Sequence, residues 1–116
     1  MQLIEPRQVW SAEFPFDDDP ALSKIRPVLV LKVDREANSA SVLSMKITST
    51  VPRDKYDFTL EDWADIPIDH ESTVRPAHVK YLPLDNLKEY LGYISDRDWD
   101  KATDRFMQVL RDNEVI

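Results

Sequence analysis

The sequence predicts a mainly β domain, a curled antiparallel sheet followed by helices at its C-terminal end. Short β-branched runs with strand periodicity recur as far as Leu82, whereas helical spacing of apolar residues appears only after it. Strands first and helices last disfavour an alternating βαβ sheet. At 116 residues, with 42% hydrophobic and 32% charged composition, the chain fits a single globular domain over residues 1–116 with one core. No repeat, low-complexity segment or interdomain linker interrupts it.

From Arg7 to Phe14 the chain reads as a first strand, with Gln8, Trp10, Ala12 and Phe14 on one side and Val9, Ser11 and Glu13 on the other. Pro15-Phe16-Asp17-Asp18-Asp19-Pro20 combines two prolines with three like charges and predicts a solvated or gating loop reaching Lys24. Pro27 to Val33 is nearly continuously apolar, as suits a central strand buried on both faces. After a turn near Asp34–Asn38, Val42 to Thr48 alternates, placing Leu43, Met45 and Ile47 on one face and Ser44, Lys46 and Thr48 on the other. A polar loop over Ser49–Asp57 precedes a short strand or turn at Phe58-Thr59-Leu60 and Trp63. Ser72 to Leu82 predicts another strand, with an edge, bulge or end imposed by Pro76.

Leu84, Leu87, Leu91 and Ile94 fall at helical spacing, with Gly92, the only glycine, suited to end a short helix. Ser95 then provides an N-cap and Asp98 fits the capping-box spacing. Trp99, Ala102, Phe106, Val109 and Leu110 form the apolar stripe of a last helix.

Composition removes several chemistries. Without cysteine there is no disulfide, thiolate nucleophile or cysteine-based zinc site. A single glycine cannot supply a P-loop or dinucleotide fingerprint, and the two histidines do not form a helical zinc motif. Asp17-Asp18-Asp19 points in alternating directions if extended and has no matching ligand group, so no metal or other cofactor is expected. The start has neither a basic region followed by an apolar stretch nor a membrane-length run, making a cytoplasmic location without membrane association the default expectation. The net charge of -7 opposes long-range attraction to a polyanion, so nucleic-acid binding requires a locally basic groove.

Two segments carry candidate chemistry. In Ser23-Lys24-Ile25-Arg26-Pro27, two cations precede the buried strand and Pro27 holds Arg26 away from helical backbone, at a strand mouth. A guanidinium there can grip phosphate with several fixed N–H donors and stabilise extra transition-state charge. Taken alone, such an arginine also reads as a surface cation pairing with a neighbour among Asp17–Asp19. In Lys46-Ile47-Thr48-Ser49-Thr50 a strand delivers Thr48 to a hydroxyl-rich loop able to cradle phosphate, although threonine is an ordinary strand residue and Ser/Thr clusters form local turns. His78 is a candidate phosphate donor bent toward the groove by Pro76, against a solvent-facing alternative. His70, between Asp69 and Glu71, reads as an exposed loop residue without a role.

Val9-Trp10 before Phe14-Pro15, then Lys24-Ile25-Arg26-Pro27-Val28-Leu29-Val30-Leu31, then Ile47-Thr48-Ser49, resembles the MazF/PemK toxin pattern in order and spacing. The likeness continues through Ser72-Thr73-Val74-Arg75-Pro76 and Leu91-Gly92-Tyr93-Ile94-Ser95 and covers most of the chain. The glycine usual before the first strand is replaced by Glu5-Pro6-Arg7. The resemblance implies a small SH3-like barrel of the CcdB/Kid/MazF kind with added helices, forming a homodimer. It implies a toxin of a type II toxin–antitoxin pair that cuts single-stranded RNA, including mRNA, without a metal. A cognate antitoxin protein would block the groove and supply DNA binding to the complex.

By the same resemblance Arg26 matches the catalytic arginine and Thr48 the strand-end threonine, while the substrate's own 2′-hydroxyl attacks the adjacent phosphate. Arg26 is assigned transition-state charge stabilisation, with a share in proton transfer left open, and Thr48 orientation of a phosphate oxygen. Ser23, Lys24, Ser49 and Arg75 flank the matched motifs and Lys46 shares the predicted face of Thr48, making them candidate RNA contacts with His78. Two other readings stand beside this one. A gyrase-poisoning toxin on the CcdB-like fold would end in a characteristic Trp-Gly-Ile that is absent here, where the chain ends Asn113-Glu114-Val115-Ile116. A catalytically silent SH3-like interaction domain is the other, since fold alone never establishes activity.

Overall fold

The computed structural model describes residues 3–36, 39–68 and 70–115. Six strands form one sheet: β1 (Gln8–Pro15), β2 (Ser23–Glu36), β3 (Ser39–Thr48), β4 (Phe58–Thr59), β5 (Thr73–Pro83) and β6 (Leu87–Tyr93). Their order across the sheet is β4-β5-β3-β2-β1-β6, and every neighbouring pair is antiparallel. The helix α1 (Asp96–Asp112) closes the chain. The mainly β, antiparallel class is as expected. Among the described residues β4 and β6 do not pair with each other, so the hydrogen-bonded sheet stays open instead of closing into a barrel. No helix among the described residues is long and apolar enough to cross a membrane.

The strand periodicity is used on both faces. Trp10, Ala12 and Phe14 of β1 pack with Val28 and Val30 of β2, Val42 and Leu82 into one core. Val9, Leu29, Met45, Ile47 and Val74 project to the opposite face and meet Phe58, Leu60, Ile66, Ile94 and Ala102 of α1. A central strand with apolar side chains on both sides therefore serves two cores, which is why Pro27–Val33 lacks alternation. Of the turn expected at Asp34–Asn38, Asp34–Glu36 instead belong to β2, which continues to Glu36 opposite Ser39, and Ala37 and Asn38 lie outside the described residues. The loop expected to reach Lys24 is also shorter, because β2 already begins at Ser23, opposite Pro15.

Pro76 produces the irregularity its missing N–H requires. Lys46 pairs with Arg75 and Met45 with Val79, so Pro76, Ala77 and His78 bulge from β5 without partners on β3. The short helix expected from Leu84 is a correction. The chain makes one 3-10 turn, Leu84–Asn86, and then becomes the edge strand β6 on β1. Leucines three or four apart are compatible with either form; the open hydrogen-bonding edge of β1 and an edge-to-face contact between Trp10 and Tyr90, centroids 5.7 Å apart, select the strand. Gly92 does not end a helix. It takes φ +153 at a bulge where Gly92 pairs with Val9 but Tyr90 with Trp10, a backbone state that suits a residue without Cβ.

The last helix starts where its cap predicts, with Ser95 Oγ accepting from the Asp98 backbone N–H at 3.3 Å. The carboxylate of Asp98 goes elsewhere than a capping box would send it. Buried, it accepts from the Glu61 and Asp62 backbone N–H groups at 3.0 and 2.9 Å and from the Ser95 hydroxyl at 3.2 Å. It thereby ties the segment after β4 to the start of α1.

Candidate functional site

Pairing between β2 and β3 ends at Val28 opposite Lys46, but β2 continues along β1 to Ser23 and β3 along β5 to Thr48. Pro27 contributes to this divergence because it has no N–H to donate to a ladder. The sheet forks there, and the fork holds a cleft of about 460 Å³. Lys24, Ile25, Arg26 and Pro27 form the β2 wall, and Ile47, Thr48 and Ser49 the β3 wall. Pro67, Ile68, His70 and Ser72, from the segment leading into β5, and Leu91 of β6 complete the lining. The described lining residues include two cations and no carboxylate, so the cleft is locally basic in an acidic chain.

Arg26 is half-buried, and its Nε is buried without a hydrogen-bond partner. Among the described residues no carboxylate lies within 4.0 Å of it, so the surface ion pair with Asp17–Asp19 does not form. Burial pulls the guanidinium below its ordinary pKa; Asp17 opposes this, and Arg53 and Arg75 add to it. A buried N–H left without an acceptor costs about 1–3 kcal/mol, a cost that a ligand oxygen at that position would remove. Thr48 Oγ1 makes only long contacts, 3.4 Å from both the Thr50 backbone N and the Thr50 Oγ1. Its hydroxyl is thus weakly committed.

The remaining candidates divide into three groups. Lys24 and Ser49 line the cleft with Arg26 and Thr48, whereas Ser23 is exposed at the start of β2 and does not. Lys46 and His78 stand outside the cleft lining and gather around Asp17: His78 Nδ1 lies 2.9 Å and Lys46 Nζ 3.9 Å from its Oδ2. Lys46 is only 8% exposed, and burial, then Arg26, depress its pKa. Arg75 is 7% exposed and engaged with its own carboxylates. Its Nε donates to Asp57 Oδ2 at 3.0 Å and Oδ1 at 3.2 Å, and its terminal nitrogen lies 3.5 Å from Asp54. Asp57 also accepts from the Arg53 backbone N–H at 2.9 Å, so Arg75 anchors the loop that follows Thr48.

His70 and Ser72 reach the cleft although the sequence gives no local sign of it. His70 is exposed, as a histidine between acids in a loop predicts, and still lines the cleft. What brings the segment to the fork is a contact distant in sequence, the Leu60 backbone N–H bonding to the Ser72 carbonyl at 2.9 Å, beside the start of β5. Among the described residues no group of three or more His, Asp or Glu side chains is placed to hold a metal ion.

A small antiparallel sheet backed by one helix and forked around a cleft suited to an anionic ligand defines the class of protein. The chain belongs to the PemK-like, MazF-like toxin family of type II toxin–antitoxin systems, whose model matches residues 5–110. Among solved structures it is similar to the Mycobacterium tuberculosis toxin MazF-mt6, with TM-score 0.69 and 21% identity over 90% of this chain and 97% of that one. It is also similar to a mycobacterial endoribonuclease in complex with its cognate antitoxin, with TM-score 0.68 and 18% identity over 93% and 95% of the two chains. A further mycobacterial endoribonuclease matches with TM-score 0.67 and 18% identity over 95% and 93%. At these identities the likeness establishes the shared fold. No curated protein matches the chain in sequence.

Proposed function

We propose that this chain is a metal-independent endoribonuclease that cuts single-stranded RNA, mRNA included, at selected sequences. It acts as a homodimer in the cytoplasm and is silenced by a cognate antitoxin protein. The observation that carries this reading is Arg26: a half-buried guanidinium without a carboxylate partner, lining a locally basic cleft together with Thr48. Family membership supports the same activity, as does the likeness to the two endoribonucleases.

The reaction needs no nucleophile from the protein. The substrate 2′-oxygen attacks the adjacent phosphorus as its proton departs, the bond from phosphorus to the 5′-oxygen breaks, and that oxygen takes up a proton. The products are a 2′,3′-cyclic phosphate and a 5′-hydroxyl end. Charge grows on the non-bridging oxygens as the phosphorus becomes five-coordinate, and Arg26 is the group that answers it. Thr48 donates its hydroxyl to one of those oxygens, and Lys24 and Ser49 hold flanking phosphates. Proton movement falls to His70, the imidazole of the cleft, because an arginine's high pKa suits it poorly to act as a base. Single-stranded RNA fits because its bases are free to be read one by one along the apolar wall of Ile25, Ile68 and Leu91.

The test is an RNA-cutting assay in chelator with mapping of product ends, comparing wild type, Arg26→Ala and Thr48→Ala after circular dichroism shows all three folded. The expected result is cyclic-phosphate and 5′-hydroxyl ends from wild type and severe loss in Arg26→Ala. Equal cutting by all three proteins sinks the assignment.

A further inference from the structure

The loop between β1 and β2 carries three consecutive aspartates, and the structure treats them differently. Asp18 and Asp19 are exposed and pair with no cation among the described residues. Asp17 turns inward over the sheet. Its Oδ2 lies 2.9 Å from His78 Nδ1 and 3.9 Å from Lys46 Nζ, and its Oδ1 lies 3.6 Å from Lys80 Nζ. The three partners come from two strands: Lys46 from β3, and His78 and Lys80 from the β5 segment that starts at the Pro76 bulge. We propose that Lys46, His78 and Lys80 form a phosphate subsite beside the cleft, and that Asp17 occupies it in the free chain as a built-in competing anion.

This inference rests on the ribonuclease reading and adds a regulation to it. The subsite is continuous with the cleft, because Lys46 lies two residues before Thr48 and Arg26 is near enough to depress the lysine's pKa. Among the described residues Asp17 is the one carboxylate within 4.0 Å of both Lys46 and Lys80, while Asp54 reaches only His78, so the two lysines are under-neutralised and suit an oligoanion that brings several phosphates. Asp17 is an apt occupant and a replaceable one. Partial burial works against its ionisation, yet His78, then Lys46 and Lys80, hold its carboxyl below the usual range, so it is charged at neutral pH. Its side chain is 45% exposed, and beyond the Pro15–Ser23 pair its loop is held by the backbone bonds Phe16 to Leu22 and Leu22 to Asp19, each 3.0 Å. Water reaches the Asp17 side of each pair and the two lysine contacts are long, 3.9 and 3.6 Å, so a phosphodiester can take its place. His78 Nε2 also lies 3.8 Å from Asp54 Oδ2, which keeps the imidazole in position when Asp17 leaves.

The probe is a random-sequence single-stranded oligonucleotide of 2′-O-methyl RNA, which binds but lacks the attacking hydroxyl. Its affinity is measured by fluorescence anisotropy over a range of salt for wild type, Asp17→Asn, Asp18→Asn and the double variant Asp17→Asn/Lys80→Gln. Asp17→Asn is expected to tighten binding by about twofold to fivefold, the span of an exposed ion pair. The slope of log affinity against log salt should steepen by about 0.7. Asp18→Asn, which changes net charge equally, should stay within about 1.5-fold of wild type, and the double variant should lose most of the gain. The melting temperature of Asp17→Asn should fall as its affinity rises, an opposition that a purely structural aspartate does not produce. Binding by wild type and Asp17→Asn alike, or weaker binding by Asp17→Asn, overturns this inference alone. No binding by any of the four overturns the ribonuclease reading and this inference with it.

Discussion

Arg26 and Arg75 stand on the two arms of one forked sheet, and their guanidinium groups meet opposite environments. Arg75, on β5, is enclosed by Asp57 and Asp54, and its charge is spent inside the fold. Arg26, on β2, is half-buried with an N–H that bonds to nothing and no carboxylate within reach among the described residues. A cation matched by buried carboxylates maintains structure. One desolvated without a partner leaves free energy that only a ligand recovers. The contrast separates a residue that builds the site from one that acts in it, though both precede a proline and both carry the same group.

The largest break in that comparison should come from removing each arginine in turn. Arg26→Ala is expected to lower the RNA-cutting rate by about 10²–10³, as loss of one charged transition-state donor does, while the urea midpoint stays near wild type. Arg75→Ala should do the reverse first. It strands Asp57 as an uncompensated buried charge, costing about 3–5 kcal/mol in chemical denaturation, and activity falls because the molecule unfolds. If Arg75→Ala leaves stability unchanged while abolishing cutting, the division between the two is wrong. A finer test is Thr48→Ala, which removes one hydroxyl donor to a charged oxygen. Cutting should slow by about 10- to 100-fold with stability nearly unchanged, and Thr48→Ser should restore most of it.

The smallest effect tests a third way of using charge, an exposed pair far from the cleft. Arg97 donates to both oxygens of Asp62, at 2.8 and 2.7 Å, and with Ser95 draws that carboxyl down to about 2. A carboxyl depressed in the folded state adds stability above its unfolded pKa of about 3.9 and loses it as pH falls through about 2. Wild type should therefore lose slightly more stability than Asp62→Asn between pH 5 and pH 2, read as urea midpoints. The difference should be small because both partners face water.

Much of this architecture is legible in residue order. Periodicity alone places β1, the two-faced β2 and β3, and Pro76 foretells the break in β5, because each of these depends on steric and hydrogen-bonding rules within a few residues. The Ser95 cap and the stripe Trp99-Ala102-Phe106 predict α1 for the same reason. The segment Leu84–Ile94 is where this fails. Its leucine spacing suits a helix, but the unpaired edge of β1 captures it as a strand.

The candidate site divides similarly. Arg26-Pro27 and Thr48-Ser49 are recognisable as strand-end groups, and the family resemblance joins them. Nothing near His70 or Ser72 announces that they line the cleft, or near Lys80 that it faces Asp17. Nor does the local sequence distinguish Arg75 from Arg26, or Asp17 from Asp18 and Asp19.

By itself, then, the sequence determined the strands as far as Leu82, the break that Pro76 imposes on β5, and where the last helix begins. These follow from backbone sterics and side-chain alternation, which act over short spans. Tertiary structure decided the forking of the sheet, the capture of β6, and which charges are neutralised. Those outcomes depend on which groups from distant segments come within a few ångströms, since desolvation and Coulomb energy are set by distance in space and not along the chain.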